Sequence, residues 1–194
     1  MDQVYRIALI MLPAILVLYM LPYMLCWFPE FTGKFRQFVQ AVFSRNGFFV
    51  LRPYLVRGTV AILAGIVLHE MLHGLGWVFF TRRKFRSLRF GFMVRELAPY
   101  AHCTEPLPVL GYRIGILLPV VVLGFLPALS GIISGSFSRL CYGMLFTWAA
   151  SGDLIMFWYI RKLKTGSKVM DHPEKLGCII LDNESGISAT DPPM

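Results

Sequence analysis

Charged residues are scarce in this chain: 15% of 194 residues, only 11 of them acidic. An average soluble domain carries about 25% charge, so an ordinary water-soluble globular domain is excluded. Cysteine is sparse as well. Cys26, Cys103, Cys141 and Cys178 are scattered and form no CxxC pair. That spacing excludes a disulfide framework and a cysteine zinc knuckle. No small-residue cleavage site follows the first apolar run, so the run reads as a retained transmembrane helix and not as a signal peptide. Internal repeats are absent too. What is plentiful is apolar: 56% hydrophobic residues, 16 of them Phe, and a mean hydropathy of +0.61. The net charge of +8 could suggest nucleic acid. The basic residues cluster beside apolar segments, however, so anionic lipid headgroups are the expected partner and no nucleic acid is.

Four segments hold the roughly 20 apolar residues that crossing a bilayer needs. They run over about Tyr5 to Trp27, Gly58 to Phe80, Tyr112 to Ser134 and Arg139 to Ile160. Pro13 and Pro22 are expected to kink the first, and Pro119 and Pro127 lie in the third. The expected fold is thus an all-α polytopic membrane protein of about four transmembrane helices. Residues 1–160 form the membrane-embedded domain. Residues 161–194 form a cytoplasmic tail, disordered from Asn183 onward, with a short strand near Leu176 to Leu181.

Two connections carry structure of their own. Phe31, Phe35, Phe38, Val42 and Phe43 share one helical face, with Lys34, Arg36 and Arg45 elsewhere. This predicts an interfacial helix between the first and second spans, or a cap over the bundle. Between the second and third, Leu88, Phe90, Phe92 and Val94 alternate with Arg89, Gly91 and Met93. A turn near Glu96 and a return over Leu97 to Thr104 make a small β-hairpin. Lys and Arg number 13 in the segments on the N-terminal side of the bilayer and 6 in the others. A multi-pass protein of the cell membrane with both termini cytoplasmic follows.

The chemistry is concentrated in His69-Glu70-Met71-Leu72-His73, inside the second span. Two imidazoles four apart stand one above the other on a helix face. They can both reach one Zn2+ ion, and Glu70 between them can take a proton from its water. Ionisable groups at membrane depth are costly and mark function. A catalytic site needs a third protein ligand. Asp153, in the fourth span, has the right depth. At about 1.5 Å per residue, His69 and His73 lie roughly 16 and 22 Å along their span and Asp153 roughly 20 Å along its own. Rival ligands are Glu96, His102, Glu105 and His172. The expected metal set is His69, His73 and Asp153, with Glu70 as general base. The alternatives are a non-catalytic metal-binding membrane protein and a membrane scaffold.

These residues resemble an uncharacterised bacterial family of zincin-type membrane peptidases and, more distantly, the site-2 protease group of intramembrane zinc proteases. The likeness covers most of the chain from about Leu68. It includes His69 to Gly74, Tyr100 to Glu105, Tyr112-Arg113 leading to Leu118-Pro119, Ser151-Gly152-Asp153 and Asp171-His172-Pro173. The resemblance implies zinc on His69 and His73, Glu70 as base, and Asp153 in the place of the aspartate that completes the site-2 protease centre. That group usually has Asp before Gly, whereas here Gly152 precedes Asp153. The resemblance implies a peptidase and supplies no substrate; the expected reaction is hydrolysis of a membrane protein or peptide, with the hairpin expected to hold the extended chain as an added strand. Arg95 or His102 would be placed to stabilise the developing oxyanion.

Overall fold

The computed structural model describes residues 2–93, 98–164, 166–171 and 178–181. Helix α1 spans Asp2–Val42 and α2 spans Gly47–Val78. A two-stranded antiparallel hairpin follows, β1 Leu88–Met93 against β2 Ala98–Cys103. After β3 (Leu107–Pro108) come α3 Val109–Pro119, a π-helical stretch Val120–Phe125 and α4 Leu126–Ser134. Then come α5 Phe137–Ala149, α6 Ser151–Ile160, β4 Lys168–Asp171 and β5 Cys178–Leu181. Three helical stretches, 6–42, 47–78 and 109–134, are long and apolar enough to cross a membrane. The pair α5 and α6, bent by 50° at its break, makes a fourth when counted as one span.

Several details depart from the sequence expectation. The first helix does not break at Pro13 or Pro22. Its non-helical residue is Trp27 (φ −127°, ψ 16°), two before Pro29. The Trp27 indole N–H donates to the Ile132 carbonyl at 2.7 Å, which fixes the kink against the bundle. Beyond the kink at Trp27 the chain is helical again as far as Val42, so the helix expected between the first two spans is present, joined to the first by the kink and not by a loop. Likewise α2 begins at Gly47 and runs through Pro53. A proline there removes one backbone donor, yet the helix continues past it. The two extensions meet in an edge-to-face contact of Phe38 with Tyr54, centroids 5.4 Å apart. Pro119 is followed by the π-helical stretch, a common response to a lost helical hydrogen bond. A second sheet, in the order β3-β4-β5, pairs Leu107 with Val169 and Val169 with Ile180. So short a strand as β3, ending in Pro108, leaves no sequence period to read.

Two cores hold the chain together. One gathers Ile15, Tyr19, Tyr23, Ala128 and Leu140. There α1 is bonded to its neighbours by Tyr19 to Thr147 (3.3 Å), Tyr23 to the Gly135 carbonyl (3.1 Å) and Trp148 to the Ala8 carbonyl (3.0 Å). The other gathers Trp77, Cys103, Leu107, Val109, Tyr112, Ile116, Ile160 and Val169. It joins the end of α2, both sheets, α3 and the end of α6. On α2, Val60, Leu63, Val67, Met71 and Leu75 are exposed and lie on one side at helical spacing. An apolar stripe of that kind suits contact with lipid.

Candidate metal centre

The opposite side of α2 carries the two histidines. His69 and His73 are separated by one helical turn, and their Nε2 atoms are 3.1 Å apart. Asp153 closes the group: its Oδ2 is 3.1 Å from His69 Nε2 and its Oδ1 3.5 Å from His73 Nε2. All three side chains are at most about one-fifth exposed. Among the described residues, this is the one cluster of three or more His, Cys, Asp or Glu that could hold a metal ion.

Each partner is placed by a local cause. Asp153 stands in the first turn of α6 because the span breaks at Ala150, whose ψ of 17° ends α5 and starts α6. The sequence Ala149-Ala150-Ser151-Gly152 is small enough for that bend. A carboxylate in a first turn also faces the positive end of the helix dipole. His73 is fixed from behind: its Nδ1–H donates to the Gly115 carbonyl on α3 at 3.0 Å. This bond selects the tautomer whose Nε2 lone pair faces His69 and Asp153. The approach needed for it rests on glycine. A Cβ on Gly76 would lie 2.6 Å from Gly115 Cα, so α2 and α3 touch backbone to backbone. Beside them His73, Trp77 and Tyr112 form a continuous stack, with centroids 5.4 and 5.7 Å apart and planes within 17°.

Glu70 points to a different neighbour. Its Oε2 accepts the Ala101 N–H of β2 at 2.7 Å. The hairpin reaches α2 because Phe90 and Leu88 seat over Gly74, where a Cβ would be 2.6 Å from Phe90 Cζ. Ala101 pairs with Phe90 in the hairpin register, and its amide turns outward from β1 toward the base. In depth, His73 precedes Arg82 by nine residues and Asp153 precedes Arg161 by eight. Over the helical part of each stretch, at about 1.5 Å per residue, His73 lies roughly 7–8 Å before the end of α2 at Val78 and Asp153 roughly 10 Å before the end of α6 at Ile160.

Of the rival ligands, the two among the described residues, Glu105 and His102, are not part of the cluster. Glu105 is committed to the loop after α2. It accepts the Ser87 hydroxyl at 2.8 Å and the Arg82 and Arg83 amides at 2.9 and 3.3 Å, with Arg83 Nε 3.7 Å away. These bonds, the Ser87 hydroxyl first, hold its carboxyl below the usual carboxylate range. His102 is opposite Arg89 in the hairpin, and strand alternation puts its side chain on the face away from α2. Glu96, His172 and Arg95 lie outside the described residues. Sequence reasoning missed Gly115, Ala101 and the Trp77–Tyr112 stack. Gly111 and Gly115, spaced by four, were the available signal for close helix approach. A backbone amide such as that of Ala101 carries no sequence signal.

The profile of the family described as "Putative zincin peptidase" matches residues 62–168, more than half of the chain and the whole cluster. The chain belongs to that family. No curated protein and no solved structure matches it.

The donor set fits zinc. Ligands at about 2.0–2.1 Å in a tetrahedron are roughly 3.3 Å from one another. The three separations of 3.1, 3.1 and 3.5 Å bracket that edge without rearrangement. Two imidazoles and one carboxylate also match the ligand set of hydrolytic zinc sites, which keep a fourth position open.

Proposed function

We propose that this chain is a multi-pass membrane zinc metallopeptidase that hydrolyses peptide bonds of membrane proteins or peptides. Zinc would be held by His69, His73 and Asp153, and Glu70 would be the general base. The observation that carries the proposal is the near-tetrahedral spacing of three donor atoms from α2 and α6. Bound there, zinc would supply Lewis acidity and lower the pKa of a water toward about 7. The chain's own residues do the rest. Gly115 keeps His73 in the ligating tautomer. Glu70 takes up a proton at its carboxylate and returns it to the leaving amine.

The hairpin orients the substrate. A transmembrane substrate is helical, with its backbone satisfied internally, and it must unwind before cleavage. An extended segment added along the outer edge of β2 passes directly beside Glu70, because the Ala101 amide on that edge already reaches the carboxylate. The three long apolar stretches support a place in the cell membrane. The 13-to-6 division of Lys and Arg supports cytoplasmic termini, and the basic residues beside the apolar segments support contact with anionic headgroups.

The test is cleavage of a co-expressed library of membrane-protein substrates by wild type and by Glu70→Gln. Removing the base lowers the rate by about 10²–10⁴-fold. Equal product from both proteins rejects Glu70 as base. Purified protein carries about one zinc per chain, and the His69→Ala/His73→Ala variant none. Zinc bound without any Glu70-dependent cleavage would instead identify a non-catalytic metal protein.

A further inference from the structure

α3 touches both halves of the metal centre. Through Gly115 it bonds His73. Two residues earlier, Arg113 reaches across to the C-terminal end of α6. Its Nη2 donates to the Ile160 carbonyl at 2.6 Å and to the Leu163 carbonyl at 3.1 Å. Carbonyls at a helix end have no intrahelical donor and carry the negative end of the dipole, so a guanidinium satisfies them well. The arrangement is specialised. Among the described residues no carboxylate pairs with Arg113, and its Nε is buried without a hydrogen-bond partner. Desolvating a cation in this way is unfavourable, and the bonds to α6 are what offset it.

α6 needs such a hold. It is only ten residues long and is separated from α5 by a 50° bend. Asp153 stands near one end and Ile160 at the other, seven residues and about 10 Å apart. A rotation of about 5° about the clamped end would move the carboxylate by roughly 1 Å, several times the ~0.2 Å tolerance of a metal–ligand distance. We propose that Arg113 is a positioning residue for the metal centre. By clamping the end of α6 to the same helix that orients His73, it sets where the Asp153 carboxylate stands relative to the two imidazoles. This rests on the metal-site reading above.

The test uses the full-length protein in detergent and zinc itself as the probe, titrated against a chromophoric chelator. Arg113→Met weakens zinc binding by about 10–100-fold, the usual effect of losing a group that orients a ligand. Arg113→Lys restores it to within about threefold, since an ammonium can still donate to both carbonyls. Trp27→Phe removes an indole–carbonyl bond at the other end of the bundle and leaves zinc affinity unchanged. Wild-type affinity in Arg113→Met overturns the proposal. So does an equal loss in Trp27→Phe, which would show general loosening. A second readout needs no metal. In a His69→Cys/Asp153→Cys protein, a two-carbon bis-methanethiosulfonate links positions 69 and 153, as mass spectrometry can quantify. Adding Arg113→Met reduces that link several-fold, and adding Arg113→Lys does not. Undiminished linking with Arg113→Met overturns the clamp whatever the metal does. Efficient linking that depends on Arg113, in a protein that binds no zinc, leaves the clamp standing and refutes only the metal.

Discussion

Replacing Gly76 by alanine tests the contact that orients His73. The added Cβ would stand 2.6 Å from Gly115 Cα, where ordinary contact begins at 3.4 Å. Both atoms belong to backbone-anchored positions, so no side chain can swing aside. α2 and α3 must part by about 0.8 Å, the difference between those two distances. The bond from His73 to the Gly115 carbonyl then stretches from 3.0 Å to roughly 3.8 Å, beyond useful hydrogen-bonding range. Losing it removes about 0.5–1.5 kcal/mol, and overpacking adds about 1–3 kcal/mol. The gain from replacing a helical glycine offsets only about 0.5–1 kcal/mol. The net expectation is destabilisation by roughly 0.5–4 kcal/mol, with zinc affinity lowered by about 10–100-fold as the imidazole loses its fixed tautomer. Gly58→Ala is the matched control on the same helix, since a Cβ there meets nothing within 4 Å. It should raise stability by up to about 1 kcal/mol and leave zinc binding alone. Thermal melting and chelator competition on both variants decide the matter. If Gly76→Ala melts and binds zinc like Gly58→Ala, the backbone contact does not orient His73.

Three further outcomes are expected. Asp153→Asn keeps the shape of the side chain but removes its charge, and zinc affinity in a chelator titration falls by at least about tenfold; an unchanged constant would remove Asp153 from the ligand set. Glu105→Gln weakens the bonds that pin the loop after α2 to the base of the hairpin, so limited proteolysis near residues 82–87 becomes faster; equal protection would show that the loop is held by other contacts. The Glu105 carboxyl is held below its ordinary value of 4.5 in the folded chain. Its contribution to stability is therefore fully present above that value and is lost as pH falls through the lower folded value. Melting followed between about pH 3 and 6 should show an acid-side loss that shrinks in Glu105→Gln, and an identical slope in both proteins would contradict it.

Much of the helical layout was legible because a long apolar run marks a long apolar helix directly. The turn-apart histidines and the matching depth of Asp153 came from the rise per residue alone. The hairpin was visible in the alternation of Leu88, Phe90 and Phe92 with Arg89 and Gly91. What escaped depends on contacts distant in sequence. Pro53 looks like a boundary, yet α2 runs through it. Pro13 and Pro22 look like kinks, yet the bend is at Trp27, where an indole finds the Ile132 carbonyl. The break at Ala150 has only small residues to announce it. The bonds from Gly115 to His73, and from Ala101 to Glu70, use backbone groups that every residue possesses, so no residue type marks them.

X-ray absorption at the zinc edge of the loaded, full-length protein addresses the metal centre most directly. Two imidazole nitrogens and carboxylate or water oxygen at about 2.0–2.1 Å are expected, with the imidazole signal lost in His69→Ala/His73→Ala. Failure to retain stoichiometric zinc, or sulfur scattering at about 2.3 Å from one of the four cysteines, would place the metal elsewhere and contradict the proposed centre.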